Sequence, residues 1–259
     1  MTAGDALALA ERRLAAAGVD TPRVDAELLV AHVLGVSRTR LYADLGAEVD
    51  GLEPLLARRE TREPLAYVLG EWGFRRLTLK TDPRALVPRP ETEIVVERAL
   101  ALLAGSAAPR VLDLGVGSGA IALALKDERP DARITGVDIS AQAVALAREN
   151  ADRLGLQIEL REGGIEAAGE GWDLVVSNPP YVDSLAGLQP ELGHEPEQAL
   201  LGRGFHERIA AAASTRLLVL EVGDGQADAV ASALEAAGYR NVRITKDLAG
   251  FGRVVEGRR

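Results

Sequence analysis

Residues 173–181 read Asp-Leu-Val-Val-Ser-Asn-Pro-Pro-Tyr. The apolar run Leu174–Val176 has the look of a buried strand, and Asn178-Pro179-Pro180-Tyr181 stops it abruptly. Neither proline carries a backbone N–H, and Pro179 pushes Asn178 toward an extended conformation. The turn therefore shows acceptors and few donors: backbone carbonyls and the side-chain oxygen of Asn178. Such a site suits a planar –NH2 group, which has two hydrogens to donate. The Tyr181 ring could lie against the flat face of that group. The same letters also serve ordinary strand-ending turns, so the remaining motifs have to decide.

The second constellation is Asp113-Leu114-Gly115-Val116-Gly117-Ser118-Gly119-Ala120, which follows one strand and opens a helix. Glycines there let the backbone turn tightly and approach a ligand at the helix start. The string satisfies Gly-x-Gly-x-x-Ala, and Asp138 ends the next strand, placed to hold both hydroxyls of a ribose. That fits a nicotinamide dinucleotide or the nucleoside of S-adenosylmethionine. Two features favour the methyl donor. Asp113, before the first glycine, suits the ammonium end of a methionine and not a pyrophosphate, and the Asn-Pro-Pro-Tyr turn has no role in hydride transfer.

The elements that must position these groups alternate. Strands are expected at 110–114, 133–138, 157–161, 172–177, 216–222, 241–245 and 253–256, with helices at 119–128, 141–154, 205–213 and 226–237 between them. This alternation implies an α/β fold with a mostly parallel, doubly wound sheet that takes ligands at strand C-terminal ends. Ahead of it, apolar residues at helical spacing predict four short helices in the first 65 residues, a small bundle. The alternating Trp72, Phe74, Leu77 and Leu79 predict a hairpin. Thr92 and Glu93 enter a helix that runs on through Leu103. The domains are expected at 1–66 (helical, substrate docking), 67–89 (hairpin linker) and 90–259 (cofactor-binding sheet).

Composition narrows the partners. The net charge is −9, with 12 basic and 13 acidic side chains up to Arg84 and 18 and 26 beyond it. Neither part is basic, which disfavours a nucleic-acid partner. Without cysteine there is no disulfide, thiolate metal site or cysteine nucleophile, and His32, His194 and His206 are too scattered to suggest a metal. No apolar run is long enough to span a membrane. The charged first helix (Asp5, Glu11, Arg12, Arg13) is unlike a signal peptide. A cytoplasmic monomer is the expectation.

The motifs together resemble the protein-(glutamine-N5) methyltransferases, the PrmC/HemK family. Asp-x-Gly-x-Gly-Ser-Gly-Ala, Asp138 and Asn-Pro-Pro-Tyr are shared by many amino-group methyltransferases. Narrower are Val-Pro-Arg-Pro-Glu-Thr-Glu (87–93), Leu-Ala-Tyr-Val-Leu-Gly (65–70) and His194-Glu195-Pro196. The resemblance covers nearly the whole chain. It implies a Rossmann-like methyltransferase sheet behind a helical domain. It also implies methyl transfer from S-adenosylmethionine to the glutamine amide in the Gly-Gly-Gln loop of class 1 peptide chain release factors. Asn178 to Tyr181 would hold that amide, while Gly115 to Gly119 and Asp138 would hold the cofactor. Family members usually carry an acidic residue near the adenine where this chain has Gly163-Gly164-Ile165, leaving Ile165 to offer packing alone. A nucleic-acid amino methyltransferase, acting on adenine N6 or guanine N2, uses related turns and is the competing reading.

Overall fold

The computed structural model describes residues Met1–Arg259. They form two compact units: Met1–Glu71 with Leu188–His194, and Trp72–Gly187 with Glu195–Arg259.

The first unit is helical, with α1 (Ala3–Ala16), α2 (Pro22–Val33), α3 (Arg38–Leu41), α4 (Leu52–Glu60) and α5 (Leu65–Leu69). Thr2 caps α1 by accepting the Asp5 N–H, and Pro22 opens α2 where its missing N–H costs nothing. Ala6, Ala10 and Leu14 of α1 are buried with Leu29 and Val30 of α2 and Leu56 of α4. One ion-pair network crosses this unit. Arg59, 5% exposed, donates to Asp25 (2.7 Å), to the Glu63 carbonyl (3.1 Å) and to Glu191 (2.9 Å). Glu191 also takes a bidentate pair from Arg62 (2.6 and 2.8 Å). The segment Leu188–His194 belongs to the helical unit although it comes late in the chain. Residues 65–69, expected to lead into the hairpin, are a helix closed by Gly70 at φ 76°.

The second unit holds the hairpin β1 (Glu71–Phe74) and β2 (Leu77–Lys80), then α6 (Thr92–Leu103). Next come β3 (Arg110–Leu114), α7 (Ala120–Glu128), β4 (Arg133–Asp138), α8 (Ala141–Leu154), β5 (Glu159–Glu162) and β6 (Trp172–Ser177). The chain ends with α9 (Glu197–Leu200), α10 (Phe205–Ala212), β7 (Thr215–Glu221), α11 (Ala227–Ala236), β8 (Arg240–Lys246) and β9 (Gly252–Arg258). Seven strands make one sheet in the order β5-β4-β3-β6-β7-β9-β8. The first five run parallel, and β9 pairs antiparallel with both β7 and β8. Central strands covered on both faces read as unbroken apolar runs, which is why β6 was legible. Val111, Leu174 and Val176 pack beneath α6 and α7, joined by Phe74 and Leu79 of the hairpin. Leu112, Val175 and Leu218 face the other way, toward Ile209 of α10 and Leu234 of α11. The hairpin therefore packs into this core.

Candidate active site

Strands β3 and β6 are neighbours at the middle of the sheet, and the crossovers after them turn to opposite flanks. An open α/β sheet takes its ligand in the crevice outside such a point. A cleft of about 1090 Å³, its open mouth included, lies there. Gly115 and Val116 both donate their N–H to the Val137 carbonyl of β4 (2.8 and 3.0 Å), tying the glycine turn to the next strand. Gly117 N–H donates to Asp138 Oδ2 (3.0 Å) and Ser140 N–H to Asp138 Oδ1 (2.9 Å), so two backbone donors fix that carboxylate at the cleft wall. Ile139, 60% exposed, and Ile165 supply apolar surface beside it. The Glu166 carboxylate folds back to accept the Gly164 N–H at 2.7 Å. It fills the space a side chain at 164 would take, since a Cβ there would stand 2.7 Å from Glu166 Oε2.

Opposite stands the turn after β6. The Ser177 hydroxyl donates to the Leu114 carbonyl (2.6 Å), locking the ends of β6 and β3 together. Asn178 Nδ2 donates to Thr92 Oγ1 (3.2 Å), which leaves Oδ1 as the amide's acceptor. Beyond the prolines, Val182 N–H donates to the Leu200 carbonyl (2.9 Å) and Gly202 N–H to the Val182 carbonyl (3.1 Å). Gly202 must be glycine: a Cβ would come within 2.6 Å of the Pro180 carbonyl oxygen. The rigid Val87-Pro88-Arg89 segment also lines the cleft. Glu195, 4% exposed, accepts the Val87 N–H (2.9 Å) and pairs with Arg89, so one buried carboxylate holds this segment in place.

Three groups near the cleft titrate abnormally. Burial pushes the Asp113 carboxyl up to about 8, although the Ala122 N–H on its Oδ2 opposes this. Burial likewise raises Glu221, at the end of β7, to about 7, and the Tyr181 hydroxyl to about 12. Removing a charge's water favours its neutral form, and none of the three has enough partners to reverse that.

Of the residues singled out in the sequence, Gly115, Val116, Gly117, Ser118, Asp138, Ile165, Asn178, Pro179 and Pro180 line the cleft together. Three stand elsewhere. Gly119 lies behind the wall as the left-handed start of α7 (φ 88°), where a Cβ would press 2.9 Å from Leu123 Cδ1. Asp113, 1% exposed, lies beneath it, with Oδ2 on the α7 backbone and Oδ1 without a partner. Tyr181 is outside the cleft lining, with Cδ2 2.9 Å from where a Cβ on Gly223 would stand. Thr92 and Glu221 did not stand out as site residues, one being read as a helix start and the other lying within the expected strand 216–222.

Comparison with known proteins bears on what this cleft serves. Residues 5–70 match the family described as PrmC N-terminal domain, and residues 93–198 match Methyltransferase small domain. The chain is 41% identical to the release factor glutamine methyltransferase of Deinococcus radiodurans, over 98% of each chain. It is 45% identical to that of Rhodospirillum rubrum, over 95% of this chain and 82% of the relative. Among solved structures, the hMettl16 catalytic domain in complex with an RNA hairpin superposes with a TM-score of 0.57 at 14% identity, covering 79% of this chain and 81% of that one. The T. thermophilus 16S rRNA methyltransferase RsmC, in complex with AdoMet and guanosine, gives 0.54 at 20% identity, covering 73% of this chain and 49% of that one. At such identities these two structures establish the shared fold alone.

Proposed function

The chain belongs to the release factor glutamine methyltransferase family, and from that premise we propose that Asn178 and the prolines after it hold the side-chain amide of a release-factor glutamine for N5-methylation. The protein is an S-adenosylmethionine-dependent methyltransferase. The cleft suits that cofactor on its own terms: a backbone-fixed carboxylate at Asp138 and apolar surface at Ile139 and Ile165. When bound, S-adenosylmethionine supplies an electrophilic methyl on a sulfonium. Asp138 would take the ribose hydroxyls and Ile165 the adenine face; Asp113, expected to meet the methionine ammonium, lies buried beneath the wall with its carboxyl pushed up to about 8.

An amide nitrogen is a weak nucleophile because its lone pair is delocalised into the carbonyl. Asn178 Oδ1 and the Pro179 carbonyl each accept one N–H of the substrate amide, fixing the nitrogen for in-line attack. Catalysis here is positioning and electrostatics. No base is required beforehand, because the methylated amide becomes acidic and then releases its proton to water. The observation that carries this reading is the commitment of Asn178 Nδ2 to Thr92, which leaves Oδ1 for the substrate. Asn178→Ala is expected to lower turnover by on the order of 10²-fold while S-adenosylmethionine still binds, as loss of one preorganised contact does. Near-normal turnover would refute the role of Asn178.

The helical unit, Met1–Glu71 with Leu188–His194, is the proposed docking surface for the factor, taken to be a class 1 factor presenting its Gly-Gly-Gln loop. The net charge of −9 supports a protein substrate over a nucleic acid. No helix is long and apolar enough to cross a membrane. We place the protein, as a monomer, in the cytoplasm, where translation factors work.

A further inference from the structure

We propose that Thr92 and Glu221 are positioning residues for the methyl acceptor, forming a relay that keeps the Asn178 oxygen, and not its nitrogen, turned to the substrate. The inference rests on the assignment of Asn178 given above and concerns how its carboxamide is oriented.

A carboxamide has two orientations of nearly equal shape and opposite chemistry: one presents an acceptor to the substrate, the other two donors. Something must choose between them. In the parallel register Ser177 of β6 lies opposite Leu220 of β7, so the residues that follow, Asn178 and Glu221, are brought side by side. Thr92, at the first turn of α6, hydrogen-bonds to both. Its hydroxyl is bonded to the Glu221 carboxylate, and its Oγ1 receives Asn178 Nδ2 at 3.2 Å. Thr92 is 4% exposed and Glu221 1%, so water does not substitute for these partners.

The direction of the chain follows from counting protons. An ionised carboxylate only accepts, so Thr92 must donate its single proton to Glu221. Oγ1 then has only lone pairs left and must receive an N–H, which Asn178 Nδ2 supplies. Oδ1 is thereby set to accept from the substrate. Flipping the amide would set two acceptors, Oδ1 and Oγ1, against each other and turn an –NH2 toward the –NH2 of the glutamine. Glu221 Oε2 has no partner, so this carboxylate has no other bonded commitment.

Protonation of Glu221 would remove that directionality. The groups facing it are Arg253 of β9, Arg89 and Glu91 ahead of α6, and Tyr181 of the turn, while His206 bonds its backbone carbonyl at 2.8 Å. Burial outweighs the two arginines and raises the carboxyl to about 7, so the relay should switch within an accessible pH range.

The test is steady-state methylation of an unmodified release factor by the 259-residue chain, with S-adenosylmethionine affinity measured by calorimetry. Thr92→Val should lower kcat about tenfold, the worth of one hydrogen bond of ~1.4 kcal/mol, with cofactor Kd unchanged. Thr92→Ser should restore most of the rate. The wild-type rate should fall on the acid side of about pH 7, and Glu221→Gln should flatten that fall. Thr92→Val at the wild-type rate, equal losses in Thr92→Val and Thr92→Ser, or an unchanged pH profile in Glu221→Gln would each overturn the relay. Absence of methyl transfer by the wild-type protein would instead overturn the function on which the relay rests.

Discussion

Replacing Asp113 by asparagine should change how the stability of the cofactor-free protein depends on pH. The Asp113 carboxylate is 1% exposed, with one backbone N–H on Oδ2 and nothing on Oδ1. Burial raises it to about 8, whereas an unfolded chain titrates it near ~3.9. Between those values the folded protein holds a proton that the unfolded chain has released. Stability contributed by this group is therefore complete at low pH and is lost as pH rises toward 8, at up to roughly 1.4 kcal/mol per pH unit. A shift of about four units sets a ceiling near ~5 kcal/mol on the total. Asparagine keeps an oxygen for the Ala122 N–H and does not titrate. Urea unfolding without cofactor should give Asp113→Asn and wild type similar stabilities at about pH 4. The variant should then be favoured by several kcal/mol at pH 8. Some slope should persist in the variant below pH 7, because Glu221 titrates in the same sense. Parallel stability curves for the two proteins would refute the reasoning.

Two other substitutions probe different parts of the molecule. Asp138→Ala removes the one wall carboxylate held by two backbone donors, and should weaken S-adenosylmethionine binding about tenfold or more in calorimetry; an unchanged Kd would contradict its role. Arg59→Leu strands the buried Asp25 carboxylate with the Thr21 hydroxyl alone, and should cost about 3–5 kcal/mol of stability in urea unfolding. A loss below ~1 kcal/mol would show that the Arg59 network holds nothing together.

Much of the sheet was legible from sequence, because β3, β4 and β6 are short, largely apolar segments followed or ended by glycine, aspartate or proline, and those signals are local. That Gly115, Gly117 and Asp138 share one cleft wall follows for the same reason: they sit where strand ends put them. What escaped depends on non-local geometry. Glu191 joins the helical unit through Arg59, 132 residues away, and no pattern near Glu191 announces it. The five-residue α5 is too short to show a helical period, although Pro64 before it and Gly70 after it are the appropriate stops. Tyr181 lies outside the cleft lining and close to Gly223, a neighbour that no local pattern announces. Glu221 lay inside the expected strand 216–222, and only the pairing of β6 with β7 brings it beside Asn178.

The central claim is that this cleft methylates a glutamine amide on a release factor. The most direct test is peptide mass spectrometry of an unmodified class 1 factor after incubation with the protein and S-adenosylmethionine. One added methyl on the Gly-Gly-Gln glutamine, absent when Asn178→Ala replaces the wild type, is the result expected. A factor that stays unmodified while the cofactor is shown to bind would contradict it.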